Sequence, residues 1–272
     1  MTAVLSIRNK NGTLLTEENV LAFSFRKDIY TPYTTLSARV RTPHTNFDDA
    51  SEILMALNGD LIHHGLIDSL KIEKAGGEYF LNVSSRGFTS LLCQNQIEPG
   101  LKMNISFNML MDDFYNLPYV THENHADNSS YIYVKPNTSM WDAASNLSYK
   151  LLGTYPYIRD TNTVMISTFS APELFDLNES DASALKIVRH KYFELDMRFL
   201  YAPMEALYFR DKYDFRGQKR LFCSYSGYRG EDLCDLISFG NISQQRIGSI
   251  SIKGSSKGII TETGVYTDKF PH

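Results

Sequence analysis

The sequence predicts a mainly β (α+β) chain: two small β-barrels joined by a central α/β segment, with divisions at 1–92, 93–180 and 181–272. Three observations carry this. Apolar and polar residues alternate at period two through the first third, helical periodicity is confined to the middle, and alternation returns in the last third. Turn residues punctuate the β parts at close spacing, which suits short strands that close on themselves and so leave no exposed sheet edge.

Taken in order, Leu5 and Ile7 alternate with Ser6 and Arg8 before the turn Asn11-Gly12. Phe23 and Phe25 alternate with Ser24 and Arg26, and Leu36, Ala38 and Val40 with Ser37, Arg39 and Arg41. The stretch 52–92 holds three more strand-like runs separated by Asn58-Gly59 and Gly76-Gly77, residue pairs that reach the positive φ of a tight hairpin turn. Leu66, Leu70 and Ile72 fall on one parity there, and Tyr79, Leu81 and Val83 on another buried face. The run 61–74 is long for a strand, and a bend is expected at Gly65.

In the middle segment Phe107, Leu110, Met111 and Phe114 recur at helical spacing ahead of Pro118. A short strand is expected at 131–134. A better helix follows, with Ser139 as N-cap, Asp142 three residues on, the stripe Trp141, Ala144, Leu147, Leu151, and Gly153 closing it. Trp141 is expected to be buried. A strand pair, 156–159 and 163–168, turns at Asp160-Thr161-Asn162. In the last third, Ile250 and Ile252 alternate with Ser249 and Ser251, and a final strand runs from Ile259 to Tyr266. No sequence repeat links the first and last thirds, although barrels tolerate divergence when alternation is kept.

Composition narrows the function. Net charge is −4, so the electrostatic footprint of a nucleic-acid binder is missing, and no nucleic acid recognition is expected. Cys93, Cys223 and Cys234 form no CxxC pair and fit a reducing compartment. No apolar run reaches bilayer length, and the start lacks the apolar stretch of a signal peptide.

Chemistry-bearing clusters are few. His122-Glu123-Asn124-His125-Ala126-Asp127 brings imidazole and carboxylate together and would serve a metal-dependent hydrolase through His122 and His125, but it departs from HExxH and is read as a solvated loop. His63-His64 lies on a strand, one ring in and one out. Asp48-Asp49 and Asp112-Asp113 are adjacent carboxylates that do not face one site. Nucleophile elbows, P-loops and dinucleotide glycine patterns are all missing, so no catalytic residue, cofactor or metal is assigned. Ser226-Gly227-Tyr228-Arg229-Gly230 is read as a hairpin turn.

The stretch 192–229 is dense in aromatics with Arg and Lys among them. It supports either a protein interface or a stacking platform in a carbohydrate- or nucleic-acid-binding β module. The interspersed Asp211, Asp214, Glu231 and Asp232 favour the interface, with Tyr192, Tyr201, Tyr208, Tyr213, Arg216, Tyr225 and Tyr228 as its candidate residues.

Two patterned stretches resemble a known family. The first is Asn58-Gly59, Ile62, Gly65, Ile67-Asp68 and the exit Ser85-Arg86-Gly87-Phe88. The second is Ser139, Trp141-Asp142-Ala143, Asn146-Leu147, Gly153, Pro156-Tyr157-Ile158 and Val164-x-Ile166. In this order the chain resembles phage baseplate (tail) hub proteins of contractile tails and related tailocin or injection particles. The resemblance implies a tail-hub-like, non-enzymatic structural protein. It also implies a homotrimer whose two barrels per chain make a pseudo-sixfold ring between a hexameric tail tube and a trimeric spike. The partners it implies are tube, spike, and tape-measure or baseplate wedge proteins. The place it implies is the particle baseplate, assembled in the bacterial host cytoplasm.

Overall fold

The computed structural model describes residues 2–177, 182–189, 219–240 and 242–266. The first β region contains β1 (Ala3–Asn9), β2 (Leu14–Glu17), β3 (Val20–Asp28), β4 (Thr35–Thr42), β5 (Ala50–Leu57), β6 (Asp60–Ala75) and β7 (Glu78–Gly87). Asn58 and Gly59 both take positive φ between β5 and β6, and Gly76 and Gly77 do so between β6 and β7, as the paired turn residues require. A 3-10 turn, Phe88–Ser90, leads into α1 (Leu91–Gln94).

The middle segment follows: β8 (Gly100–Ser106), α2 (Phe107–Met109) running on into a π-helical turn at Leu110–Tyr115, β9 (Thr121–His122), β10 (Ser129–Val134), α3 (Met140–Leu152), β11 (Tyr157–Arg159) and β12 (Thr163–Met165). The second β region has β13 (Leu174–Leu177), β14 (Ala182–Arg189), β15 (Lys219–Ser226), β16 (Leu236–Phe239), β17 (Ile242–Ser255) and β18 (Gly258–Tyr266). No helix among the described residues is long and apolar enough to cross a membrane.

Local chemistry explains the middle helices. Ser139 Oγ accepts the Asp142 amide at 3.0 Å and donates to the Asp142 carboxylate at 2.8 Å, and Gly153 ends α3 at φ 70°. Ala143, Ala144, Leu147 and Ser148 form the buried stripe of α3. Trp141, in the first turn of α3, is only half-buried at the margin of that stripe, which corrects the expectation of full burial. The π turn also changes an assignment. The Asn116 amide reaches back to Met111 O at 3.1 Å, an i→i−5 bond, and the widened turn rotates Tyr115 inward and Phe114 out to 42 % exposure. The Tyr115 hydroxyl then donates to Met140 O at 2.6 Å.

The mainly β fold stands, but the two β regions are not separate sheets. Among the described residues one 13-stranded ladder runs β14-β15-β18-β17-β3-β4-β7-β6-β5-β1-β2, with β16 and β13 branching from β17. The join is β17 against β3, antiparallel, from Ser249 opposite Asp28 to Gly254 opposite Phe23. A continuous core backs it: Leu5, Phe25, Leu36, Ile53 and Leu81 from the first region belong to the same buried cluster as Cys223, Tyr225, Ile237, Ile250, Ile252 and Val265. The middle segment carries its own core, around Leu92, Ile105, Phe107, Leu110, Ile132, Leu147 and Val164.

The expected bend at Gly65 is instead a close approach. A Cβ there would meet the Arg86 carbonyl. In the pairing of β6 with β7 the irregularity sits at Asp68, an extra residue between Ile67 (opposite Ser85) and Ser69 (opposite Ser84). Because one inserted residue flips the parity, Ile67 rather than Leu66 joins Leu70 and Ile72 against the main core.

Candidate assembly interface

The join between the two β regions is the feature on which the rest of the molecule can be ordered. In the first region the strands β3, β4, β7 and β6 lie side by side in that order. In the second, β14, β15, β18 and β17 do the same. Chain order within each set matches as well: an antiparallel pair first (β3·β4, β14·β15), then a second pair (β6·β7, β17·β18) whose last strand docks on the earlier pair.

The registers agree to the residue. Ile67, Asp68 and Ser69 of β6 correspond to Ile247, Gly248 and Ser249 of β17, and the bulge falls at the same place, Asp68 in one and Gly248 in the other. Leu70 and Ile72 correspond to Ile250 and Ile252. A second shared bulge lies at the start of each set, between Val20 and Ala22 in β3 and between Ala182 and Ala184 in β14. Even the long strands divide alike. The first half of β6 pairs with β5 and the first half of β17 with β16, while their second halves pair with β7 and β18. This is a structural duplication that the sequence hides: between 68–85 and 248–265 only Ser69/Ser249 and Ile72/Ile252 are identical.

Every neighbouring pair in the eight-strand run is antiparallel, so the second unit follows the first in the same sense, head to tail. One head-to-tail join is made within the chain. The matching edges at the two outer ends, the second half of β6 and the outer side of β14, have no strand partner among the described residues.

A polar junction ties this join to the middle segment. Buried Lys27 on β3 pairs with Asp232 and donates to Asp160 O at 2.6 Å. Arg159 on β11 binds Asp235 at 2.9 Å and Leu233 O at 2.5 Å, with its guanidinium 3.5 Å over the Phe169 ring. Lys27, Arg159, Asp160, Asp232 and Asp235, with Asp60, Glu173 and Tyr228, line a cavity of about 470 Å³. Buried charges need such partners to offset desolvation, so the cavity wall is a lock between three parts of the chain.

The histidines expected as one in and one out are both buried. His63 bonds Thr34 Oγ1 at 2.9 Å and Ser85 Oγ at 2.8 Å, and burial lowers its pKa to about 3. His64 faces the other side of the sheet, but there Phe88, just past β7, and Tyr119 of the middle segment cover it, and Glu52 sits 2.9 Å from Nε2. In the 122–127 loop the two imidazoles diverge onto different carboxylates. His122 takes Asp112 at 2.9 Å, His125 takes Glu123 at 2.6 Å, and Glu123 also accepts the Ser167 amide and hydroxyl at 3.0 Å each. Among the described residues no group of three His, Cys, Asp or Glu converges on a metal position.

Of the aromatic candidates, Tyr192, Tyr201, Tyr208, Tyr213 and Arg216 lie outside the described residues. Tyr225 is 1 % exposed and its hydroxyl donates to Glu231, so it packs the core rather than presenting a surface. Alternation along β15 points it inward. Tyr228 is half-buried at the polar cavity, and burial raises the pKa of its phenol. The 226–230 segment is a longer connection to β16 rather than a tight hairpin. Which strands carry the open sheet edges was not legible, because edge status is a property of the ladder and leaves no mark on residue type.

No protein-family model matches the chain, and no curated protein matches it. Solved structures do. The tail protein from Neisseria meningitidis MC58 aligns over 98% of this chain and 97% of its own, with TM-score 0.73 at 13% identity. The prophage MuSo2 43 kDa tail protein from Shewanella oneidensis aligns over 97% of each chain, with TM-score 0.70 at 12% identity. The E. coli c3393 protein, a component of the type VI secretion system described as similar to T4 tail proteins gp27 and gp5, aligns over 98% of this chain and 78% of its own, with TM-score 0.63 at 11% identity. The chain therefore has the phage-tail, baseplate-hub-like fold that its two patterned stretches resemble.

Proposed function

We propose that this chain is a structural baseplate hub of a phage or phage-like contractile tail, a non-enzymatic adaptor that forms a homotrimer. The observation that carries the reading is the head-to-tail duplication. A heterologous contact repeated around an axis closes into a ring when the rotation fits. Two matched units per chain turn three copies into six quasi-equivalent positions, which is the symmetry needed to meet a hexameric tube on one face and a trimeric spike on the other. The fold shared with phage tail proteins and a type VI secretion component supports that setting. Tube and spike proteins are the direct partners in this reading, with tape-measure or wedge proteins at the periphery. The chain is assembled in the host cytoplasm and ends in the particle baseplate.

The test is made on intact particles, by cryo-electron microscopy or quantitative crosslinking. Three copies at the tip of the tube are expected. Absence from purified particles, or a copy number that scales with tube length, overturns the proposal.

A further inference from the structure

We propose that the cavity where the two β regions meet the middle segment is a binding site for an organic cation, an aliphatic chain that ends in an ammonium or guanidinium group. That chemistry is shared by a free polyamine and by a lysine or arginine side chain of a partner protein. The inference goes beyond the hub reading and does not depend on it.

The cavity has the size and lining of a ligand site. Its volume of about 470 Å³ lies in the range that small molecules occupy. The floor is apolar. Phe25 and Ile252 come from opposite sides of the internal seam between β3 and β17, with Ile250 beside them and Ile62 from β6. The wall is charged, with six carboxylates against the three cations Lys27, Arg159 and Arg229. An aliphatic stem fits such a floor while its charged head meets the wall.

The sign of the ligand's charge follows from which groups are already engaged. Lys27 is held by Asp232 and Asp160 O, Arg159 by Asp235 and Leu233 O, and Arg229 lies over the Tyr225 ring at 5.6 Å. The acceptors are more open. At the mouth the exposed Asp60 and Glu173 carboxylates take no hydrogen bond or ion pair among the described residues. Deeper in, Glu231 is 3 % exposed and keeps a lone pair on each oxygen after accepting the Tyr225 hydroxyl and the Arg229 amide. The Tyr228 phenol, half-buried on the wall, has no hydrogen bond among the described residues. Burial raises its pKa, and Glu231, Asp232, Asp60 and Asp235 raise it further, so the field in the cavity is negative. An anion would have to compete with carboxylates for Lys27 and Arg159, whereas a cation meets open acceptors and the Tyr228 hydroxyl. No three of the described carboxylates converge on one point, which favours an extended organic cation over a metal ion.

The experiment is titration calorimetry on the full chain, with spermidine as the polyamine probe, acetyl-arginine amide as the side-chain probe and hexanediol as an uncharged chain. Binding of spermidine or of the arginine probe at one site per chain is expected, and none of the diol. Asp60→Asn combined with Glu173→Gln should weaken that binding about tenfold or more, because two charge-assisted contacts are lost. Both side chains are exposed at the mouth, so the fold does not rest on them. Tyr228→Phe, which removes only a hydroxyl, should weaken binding about twofold to tenfold. Asp113→Asn, at an exposed carboxylate away from the cavity, should leave it unchanged. Spermidine alone binding in this way assigns the site to a free polyamine, the arginine probe alone to a partner's side chain, and both to the shared chemistry. Failure of both probes to bind, equal binding of the diol, or a double variant that binds no worse than Asp113→Asn overturns the proposal.

Discussion

The two halves of the ladder use one backbone plan with different side chains at its irregular point. At the shared bulge the first half has Asp68, whose carboxylate takes the Arg86 guanidinium through three short contacts of 2.7–3.0 Å. The second half has Gly248 there, and the ring of Tyr266, the counterpart of Arg86, fills the space a Cβ would occupy. An exposed ion pair and a buried aromatic–glycine contact thus hold the same kink. The backbone geometry is what was kept, and each copy adapted its side chains to its own surroundings, solvent for Arg86 and the internal seam for Tyr266.

The comparison can be broken most sharply at the seam positions. Ile252→Ala should destabilise the isolated chain by about 2–5 kcal/mol, since it removes a fully buried side chain. Ile72→Ala, its counterpart on the open edge, should cost clearly less in the same denaturant titration. Equal losses would mean that the β6 edge is already covered. At the bulge, Gly248→Ala drives a methyl into the Tyr266 ring and should cost about 1–3 kcal/mol, measured as a fall in denaturation midpoint.

A pH experiment sharpens the contrast one strand-half away, where the first region carries buried His63 and the second carries exposed Ser243. Desolvation lowers the folded pKa of His63 from 6.5 to about 3, so the unfolded chain binds the extra proton between those values. His63 therefore contributes stability that is complete above pH 6.5 and is lost as pH falls toward 3, with a slope approaching about 1.4 kcal/mol per pH unit. His63→Gln should flatten the stability–pH curve between pH 6 and 4; an unchanged slope would place the imidazole in contact with water. The smallest effect is expected for Asp68→Ala, under about 1 kcal/mol, because about a third of each partner's side chain is exposed.

What the sequence alone determined is local. Asn58-Gly59 and Gly76-Gly77 fixed their hairpins because their φ values are open to few other residues. Ser139, Asp142 and Gly153 fixed both ends of α3 through bonds that span only a few residues. Alternation placed Leu36, Ala38, Val40, Ile250 and Ile252 in the core, and the two patterned stretches pointed to the tail-protein fold. The tertiary structure decided everything that depends on a distant neighbour. The face taken by Ile67 hung on a bulge at Asp68 that no turn residue announces. The burial of His64 hung on Phe88 and Tyr119 arriving from beyond the sheet. The duplication and the β3·β17 seam were invisible because strand pairing is made by backbone amides and carbonyls, which every residue but proline supplies, so two ladders can coincide bond for bond with almost no residue in common.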